Sequence, residues 1–169
     1  MQVRAVCILQ NPKEQVYGVV HFVQEVKQGG TRVYGTIKGL SVGLHGFHIH
    51  TFGDLSNGCD SAGPHFNPTQ QDHGSLTAAV RHVGDFGNLE STGGDVSFDF
   101  VAPDLHLIGP YSIIGRAVII HADADDLLRE MRSRQGDLGR TNHPLSKTTG
   151  NAGARLVCGV IGIAASNPI

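Results

Sequence analysis

The sequence has no tryptophan, only three cysteines among 169 residues, and no strong excess of either charge. Its 13 basic and 15 acidic side chains give a formal net charge of −2, which offers no general attraction to nucleic acid or to an acidic membrane. No apolar run approaches the roughly 18 residues that a membrane-spanning helix requires. We therefore expect a protein that binds neither nucleic acid nor membrane.

Two further absences concern targeting and organisation. Residues 1–7 lack the basic and then apolar pattern of a secretory signal, so a cytoplasmic location is expected. The chain has no internal repeat, low-complexity tract or linker, which predicts a single domain over residues 1–169.

Glycine is abundant instead, with 23 residues, about twice the usual share of ~7%. Short runs rich in β-branched residues alternate with glycine-rich turns, and no long helical period is present. These features favour an all-β sandwich or Greek-key barrel of seven or eight strands. The clearest strands are predicted at residues 5–9, 16–23, 32–38, 44–50, 95–100, 116–121 and 156–163.

Two long stretches, residues 51–86 and 122–155, have no strand pattern. Loops beyond about 12–15 residues are uncommon unless they are functional or disordered. Because both stretches flank strand ends that carry histidine, we expect them to build a functional site.

The chain also contains ten histidines. His48 and His50 share one face of a predicted strand, because side chains alternate along a strand. A single histidine is usually a surface or core residue, but six at strand ends and in one glycine-rich loop indicate a metal site, since imidazole suits copper and zinc and a carboxylate can complete a zinc site. The remaining members of this group are His65, His73, His82, His121 and the nearby Asp85.

Five segments carry a resemblance to a known family: residues 43–50, 58–68, 81–85, 113–116 and 150–162. The chain resembles a Cu/Zn superoxide dismutase of the cytosolic eukaryotic type, and the similarity runs nearly end to end. The resemblance implies an eight-stranded Greek-key β-barrel, or flattened immunoglobulin-like sandwich, with two long functional loops. It also implies an antioxidant enzyme that converts two superoxide anions and two protons to dioxygen and hydrogen peroxide.

The resemblance further implies the metal ligands. Copper would be held by His48, His50, His65 and His121, and zinc by His65, His73, His82 and Asp85. His65 would thus be shared between the two ions and would take part in catalysis. Arg155 would bind the substrate anion beside copper, and Asp125 would link a copper histidine to a zinc histidine.

Cysteine chemistry depends on the resemblance as well. Disulfides are rare in the cytosol, so composition alone would suggest three free thiols. The resemblance implies instead a disulfide between Cys59 and Cys158. Cys7 lies in an alternating strand, where a buried free thiol is expected.

The other histidines are expected outside the metal site. His45 resembles a position that braces the barrel, His21 and His106 are predicted to be surface or structural residues, and His143 is predicted to lie away from the site. The resemblance also implies superoxide as substrate, a copper chaperone for metal loading, and a homodimer. The apolar dimer contact would involve Phe52, Gly53, Ile114, Gly115 and Ile163.

Two other functions compete with the enzyme. A copper chaperone with a dismutase-like domain would typically lack part of the copper set and would carry a separate cysteine-rich domain. A metal-storing or structural sandwich would need the metal site but not the substrate-binding arginine. The complete histidine set and Arg155 argue against the chaperone, and Arg155 argues against the storage or structural protein.

The chain departs from the family pattern at an apparent insertion over residues 128–138. One interpretation is a solvated bulge of no consequence, and another is a short helix with Leu127, Leu128 and Met131 on one face. A third is electrostatic: residues 126–155 contain six cations and three anions, a net charge of +3 that would attract superoxide. Residues 74–81 are also more apolar than usual, but the ligand spacing is kept.

Overall fold

The β-branched runs form strands throughout the part of the chain that the computed structural model describes, residues 1–127 and 143–165 without Pro12, Val26 and Gln28. The strands in chain order are β1 (Gln2–Asn11), β2 (Val16–Glu25), β3 (Thr31–Lys38), β4 (Gly43–His50), β5 (Ser56–Cys59), β6 (Asp85–Ser91), β7 (Val96–Ala102), β8 (Ala117–His121) and β9 (Arg155–Ile163). A short 3-10 helix (Asp60–Ala62) follows β5, and one helical turn, α1 (Ser146–Thr149), precedes β9.

All strands except β5 join one antiparallel sheet in the order β6-β4-β8-β9-β1-β2-β3-β7. The connections from β3 to β4 and from β7 to β8 join strands that are not neighbours, which gives Greek-key connectivity. β6 also contacts β7, so the two ends of the sheet meet and nearly close a barrel. The predicted eight-stranded barrel is confirmed.

Phenylalanine rings fill the seam where β6 meets β7. The Phe86 ring from β6 lies 5.3 Å from Phe100 of β7, and Phe47 of β4 lies 5.1 Å from Phe86 and 5.2 Å from Phe98. Their mostly edge-to-face contacts are the preferred geometry for aromatic pairs. This cluster belongs to the main core inside the barrel.

The alternation along β4 places its histidines outside that core. Phe47 and Ile49 point into the barrel, so His48 and His50 point to its outer surface. Both are nevertheless buried, because the long segment between β4 and β6 and the described residues between β8 and β9 cover this surface. The fold thus creates a second buried layer, polar rather than apolar, between the barrel and its loops.

The strand predictions were incomplete in the first long stretch. Residues 56–59 form β5, and β6 extends to residue 91 although residues 87–91 were assigned no element. In the second stretch, the predicted loop contains α1, and Leu127 has a φ of 59°, which is not helical. The proposed helix over the insertion, residues 128–138, lies outside the described residues.

Within the described ranges, no helix combines the length and apolar character needed to cross a membrane.

Candidate metal centre

Four histidines from three parts of the chain meet at the outer surface of the barrel. His48 and His50 come from β4, and His121 ends β8. His65 comes from the first long loop, where its backbone forms an isolated antiparallel β-bridge with His50. We call these residues the four-histidine set. Each offers one ring nitrogen, and these nitrogens lie within 4.8 Å of one another.

One nitrogen of each ring in the four-histidine set has no hydrogen-bond partner, although it is buried. The unpartnered atoms are Nδ1 of His48 and Nε2 of His50, His65 and His121. The other nitrogen is engaged in every case: His50 Nδ1 donates to the Gly63 carbonyl at 2.7 Å, and His121 Nδ1 donates to the Gly153 carbonyl at 3.2 Å. Buried polar atoms are rarely left unpaired, so four together fit a metal ion. An all-imidazole donor set suits copper.

A second group of donors surrounds Asp85 at the start of β6. We call His65, His73, His82 and Asp85 the Asp85 set; its donor atoms also lie within 4.8 Å of one another. His65 Nδ1 lies 2.9 Å from Asp85 Oδ1, and His82 Nδ1 lies 3.2 Å from the same oxygen. His73 Nδ1 lies 2.9 Å from Oδ2 but has no hydrogen bond. Three imidazoles and one carboxylate fit a structural zinc site.

His65 belongs to both sets through different atoms. Its Nδ1 faces Asp85, whereas its buried Nε2 is unpartnered among the four histidines. The ring lies 4.0 Å from the His48 ring and 5.4 Å from the His82 ring, measured between centroids. One imidazole can therefore contact an ion on each side.

Asp125 connects the two sets through the ring nitrogens of His48 and His73 that face away from the possible metal positions. Its Oδ2 accepts from His48 Nε2 at 2.7 Å and its Oδ1 accepts from His73 Nε2 at 2.8 Å. Asn88 of β6 holds the Asp125 backbone by donating to its carbonyl at 2.8 Å and accepting from its N–H at 2.7 Å. Gly150, with a φ of +62°, lies so close that a Cβ there would be 2.1 Å from Asp125 Oδ1.

Electrostatics differ between the sets. Burial lowers the pKa of His121 to about 4, and burial together with the neighbouring His65 lowers the pKa of His50. Burial also opposes charge on His73, but Asp125 and Asp85 outweigh it and raise the pKa of His73 to about 9. The contacts with His65 and His73 hold the pKa of Asp85 well below its usual range, against the effect of burial. The Asp85 set therefore favours a cation among its donors.

Arg155 begins β9 and is fixed by backbone carbonyls. Its Nη1 donates to the Cys59 carbonyl and its Nη2 to the Gly63 carbonyl, each at 2.7 Å. The same Gly63 carbonyl accepts from His50, so one backbone group positions both side chains. The charge of Arg155 also contributes to the lowered pKa of His121, which places it electrostatically beside the four-histidine set.

The disulfide supports the same region. Cys59, at the end of β5, is bonded to Cys158 of β9, as the resemblance implies. The bond anchors the loop whose Cys59 carbonyl holds Arg155. Beneath it, Ile119 of β8 forms a small apolar cluster with Ala62 and Ala117.

A family model described as "Copper/zinc superoxide dismutase (SODC)" matches residues 16–161. The chain is also 46% identical over 162 residues to a protein of Autographa californica nuclear polyhedrosis virus named "Putative superoxide dismutase [Cu-Zn]". That alignment covers 95% of this chain and 98% of the relative. The chain belongs to the copper/zinc superoxide dismutase family. Copper and zinc are the metals of this family, and the two sets offer suitable donors for both.

The histidines assigned elsewhere lie outside both sets. His45 is buried and braces β4 by donating from Nδ1 to the His121 carbonyl at 2.8 Å. His21 stacks on Tyr34, His106 contacts Gln24, and His143 is exposed.

Sequence reasoning missed three residues that shape the centre: Asn88, Gly63 and Gly150. Gly63 and Gly150 lie within the segments that carry the resemblance, but neither had a role assigned from it. Asn88 follows Asp85 by three residues in a segment that was assigned no element. Their roles depend on contacts with distant segments, which no local pattern reveals.

Proposed function

We propose that the enzyme dismutates superoxide at a centre in which the four-histidine set holds copper and the Asp85 set holds zinc. Two superoxide anions and two protons give one dioxygen and one hydrogen peroxide. The observation that carries this proposal is the group of buried, unpartnered nitrogens, with His65 facing both sets.

The two ions have different tasks. When bound, copper supplies the one-electron redox chemistry, whereas zinc has no second oxidation state under these conditions. His65 can hold a proton on Nε2 and release it again while its Nδ1 remains directed toward Asp85. This ring could therefore deliver a proton within the four-histidine set, where its Nε2 has no other partner.

Arg155 binds the substrate. Burial lowers the pKa of Arg155 from its ordinary value. Its guanidinium still keeps its charge at every physiological pH, because arginine is not deprotonated in proteins. Superoxide is a small anion, so a fixed cation beside the four-histidine set favours both its encounter and its orientation. Neither a storage protein nor a structural sandwich would require this residue.

Asp125 orients rather than reacts. Its two oxygens fix the rings of His48 and His73, so that the opposite ring nitrogens face the two sets. Carboxylates that accept from ligand histidines also raise the basicity of the ligand.

The proposed quaternary structure is a homodimer. Phe52 and Ile163 are apolar yet 53% and 76% exposed, and contiguous exposed apolar surface is typical of an interface with a partner. Gly53 approaches Gly115 so closely that a Cβ would be 2.1 Å from the Gly115 carbonyl oxygen, so these two segments form one continuous surface together with Ile114. A two-fold pair is the commonest oligomer.

We further propose one domain spanning residues 1–169, a cytoplasmic location, and copper loading by a copper chaperone. A single sheet that includes strands from Gln2 to Ile163 supports the first proposal. The family resemblance supports the other two.

The decisive experiment measures copper and zinc per chain together with superoxide consumption by stopped-flow spectroscopy. We expect one copper and one zinc per chain, one peroxide formed for every two superoxide anions, and loss of turnover after chelation that copper and zinc restore. Metal binding without turnover would instead indicate storage.

Arg155 gives the matched test of the substrate site. Arg155→Met should lower kcat/KM about tenfold or more while both metals remain bound. Arg155→Lys should have a kcat/KM between those of Arg155→Met and the unaltered enzyme, because it keeps the charge. Equal rates for the unaltered enzyme and Arg155→Met would contradict the proposed role.

A further inference from the structure

Arg116, immediately before β8, reaches across to segments that follow two histidines of the four-histidine set. Its Nη1 donates to the Thr51 carbonyl at 2.8 Å, directly after His50. Its guanidinium carbon lies 3.8 Å from the centre of the Phe66 ring, directly after His65. Its Nε donates to the Ser112 carbonyl at 3.0 Å, which fixes the direction of the side chain.

The two segments that Arg116 contacts are already joined near the histidines. Thr51 donates from its N–H to the Pro64 carbonyl at 2.9 Å, and its hydroxyl reaches the same carbonyl at 3.1 Å. The Phe66 N–H donates to the Ile49 carbonyl at 2.8 Å, between His48 and His50. Arg116 therefore closes a ring of contacts around the point where the loop crosses β4.

The chemistry of these contacts is specific to arginine. A planar guanidinium can stack on an aromatic ring while its edge donates hydrogen bonds, whereas a lysine ammonium cannot do both. Phe66 is buried, and Arg116 is itself partly buried. Among the described residues Arg116 has no carboxylate partner in an ion pair, so the ring and the carbonyls are what hold its charge in place.

We propose that Arg116 is a positioning residue for the copper site: it fixes His50 and His65 relative to His121, which ends the strand that Arg116 precedes. This inference rests on the proposed function of the four-histidine set. Arg116 has no direct contact with His73, His82 or Asp85 among its hydrogen bonds and ring contacts. Because His65 is the one histidine here that also belongs to the Asp85 set, the influence of Arg116 should fall mainly on copper and reach the zinc side only through His65.

The test compares Arg116→Gln and Arg116→Lys with the unaltered enzyme. The readouts are the Cu(II) affinity measured by competition with a chelator, the Cu(II) electron paramagnetic resonance spectrum, and the visible spectrum of Co(II) bound in the Asp85 set. Arg116→Gln should weaken Cu(II) binding about tenfold and shift the Cu(II) resonance parameters, with a smaller change in the Co(II) spectrum through the shared His65. The Cu(II) affinity of Arg116→Lys should lie between those of Arg116→Gln and the unaltered enzyme, because lysine keeps the charge but loses the stacking on Phe66.

Phe66→Leu tests the same contact from the other side and should reproduce the shift of the Cu(II) spectrum. Arg32→Gln is the matched control, because Arg32 also lies over an aromatic ring, that of Tyr34 at 5.0 Å, but is exposed and outside both sets. It should leave copper affinity and both spectra unchanged.

Two results would overturn the inference while leaving the proposed function intact. One is an unchanged Cu(II) affinity and spectrum in both Arg116→Gln and Phe66→Leu. The other is an equal change on the copper and cobalt sides, which would indicate general destabilisation. Failure of the unaltered protein to bind copper would instead overturn the proposed function itself.

Discussion

Asp125 is the residue on which both sets depend, because each of its oxygens accepts from a histidine of a different set. Its own position is fixed through its backbone by Asn88. The Leu127 N–H donates to Asp125 Oδ1 as well, so the carboxylate has little freedom to rotate. A change at this one side chain should therefore be felt at both ions.

We predict that Asp125→Asn weakens binding of copper and of zinc by about 10–100-fold, the usual effect of losing a partner that orients ligands. The amide of asparagine keeps one oxygen that can accept from one histidine, but it presents an N–H to the other histidine. A neutral imidazole that binds an ion through one nitrogen carries its proton on the other, so two N–H groups would face each other. Chelator competition for each metal would measure this. Asp99→Asn, at an exposed ion pair with Arg32, is the control and should change neither affinity.

Cys7 provides a pH prediction at the same scale. Burial raises the pKa of its thiol to about 12, so the neutral, unreactive form persists far above physiological pH. We expect the folded enzyme to resist a thiol reagent between pH 7 and pH 10, and the unfolded chain to react readily near its ordinary pKa of about 8.5. Rapid labelling of the native enzyme at pH 8 would show that the site opens.

At the scale of elements, the disulfide ties β5 and the adjoining loop to β9. Cys59 and Cys158 are 99 residues apart, so the bond excludes many unfolded conformations.

We predict that Cys158→Ser lowers the free energy of unfolding by about 2–5 kcal/mol, with ~4.7 kcal/mol as the loop-entropy figure for about 100 residues. Denaturant unfolding of the two proteins would measure the difference. Reductant should then destabilise the unaltered enzyme and leave Cys158→Ser unaffected; a similar effect on both would mean that the bond does not form in solution.

The elements also show which parts of this protein follow from local sequence. β4 could be predicted because its core residues alternate with histidines. Residues 87–91 of β6 could not, since glycine, asparagine and serine are poor strand formers and only pairing with β4 holds them in the sheet. The histidines of the two sets were recognisable from spacing and resemblance, whereas the contacts of Arg116 and Asn88 exist only in the folded chain.

At the scale of the whole molecule, the apolar patch around Phe52 predicts dimerisation. Phe52→Glu combined with Ile163→Glu should give a monomer, because two charges would have to be buried without partners. Light scattering after size-exclusion chromatography would measure the mass. The control Val101→Glu alters an apolar side chain that is 61% exposed on β7, away from this patch, and should remain a dimer.

The distribution of charge gives the second prediction for the whole molecule. The chain has a net charge of −2, yet residues 126–155 have a net charge of +3. Deleting residues 128–138 removes three arginines and two acidic residues, so we expect a lower kcat/KM at low salt or a flatter dependence on ionic strength. Stopped-flow measurement of kcat/KM over a series of salt concentrations would test this. If kcat/KM falls with ionic strength equally in both proteins, residues 128–138 do not help to attract superoxide.

The aromatic seam between β6 and β7 bears on self-assembly at high concentration. In an open sheet, the outermost strands present unpaired backbone groups that can recruit a strand from another molecule and start a fibril. Here the two outermost strands lie against each other across Phe86 and Phe100, which limits that access. Loosening this seam should therefore expose the backbone edges of β6 and β7 to strands from other molecules.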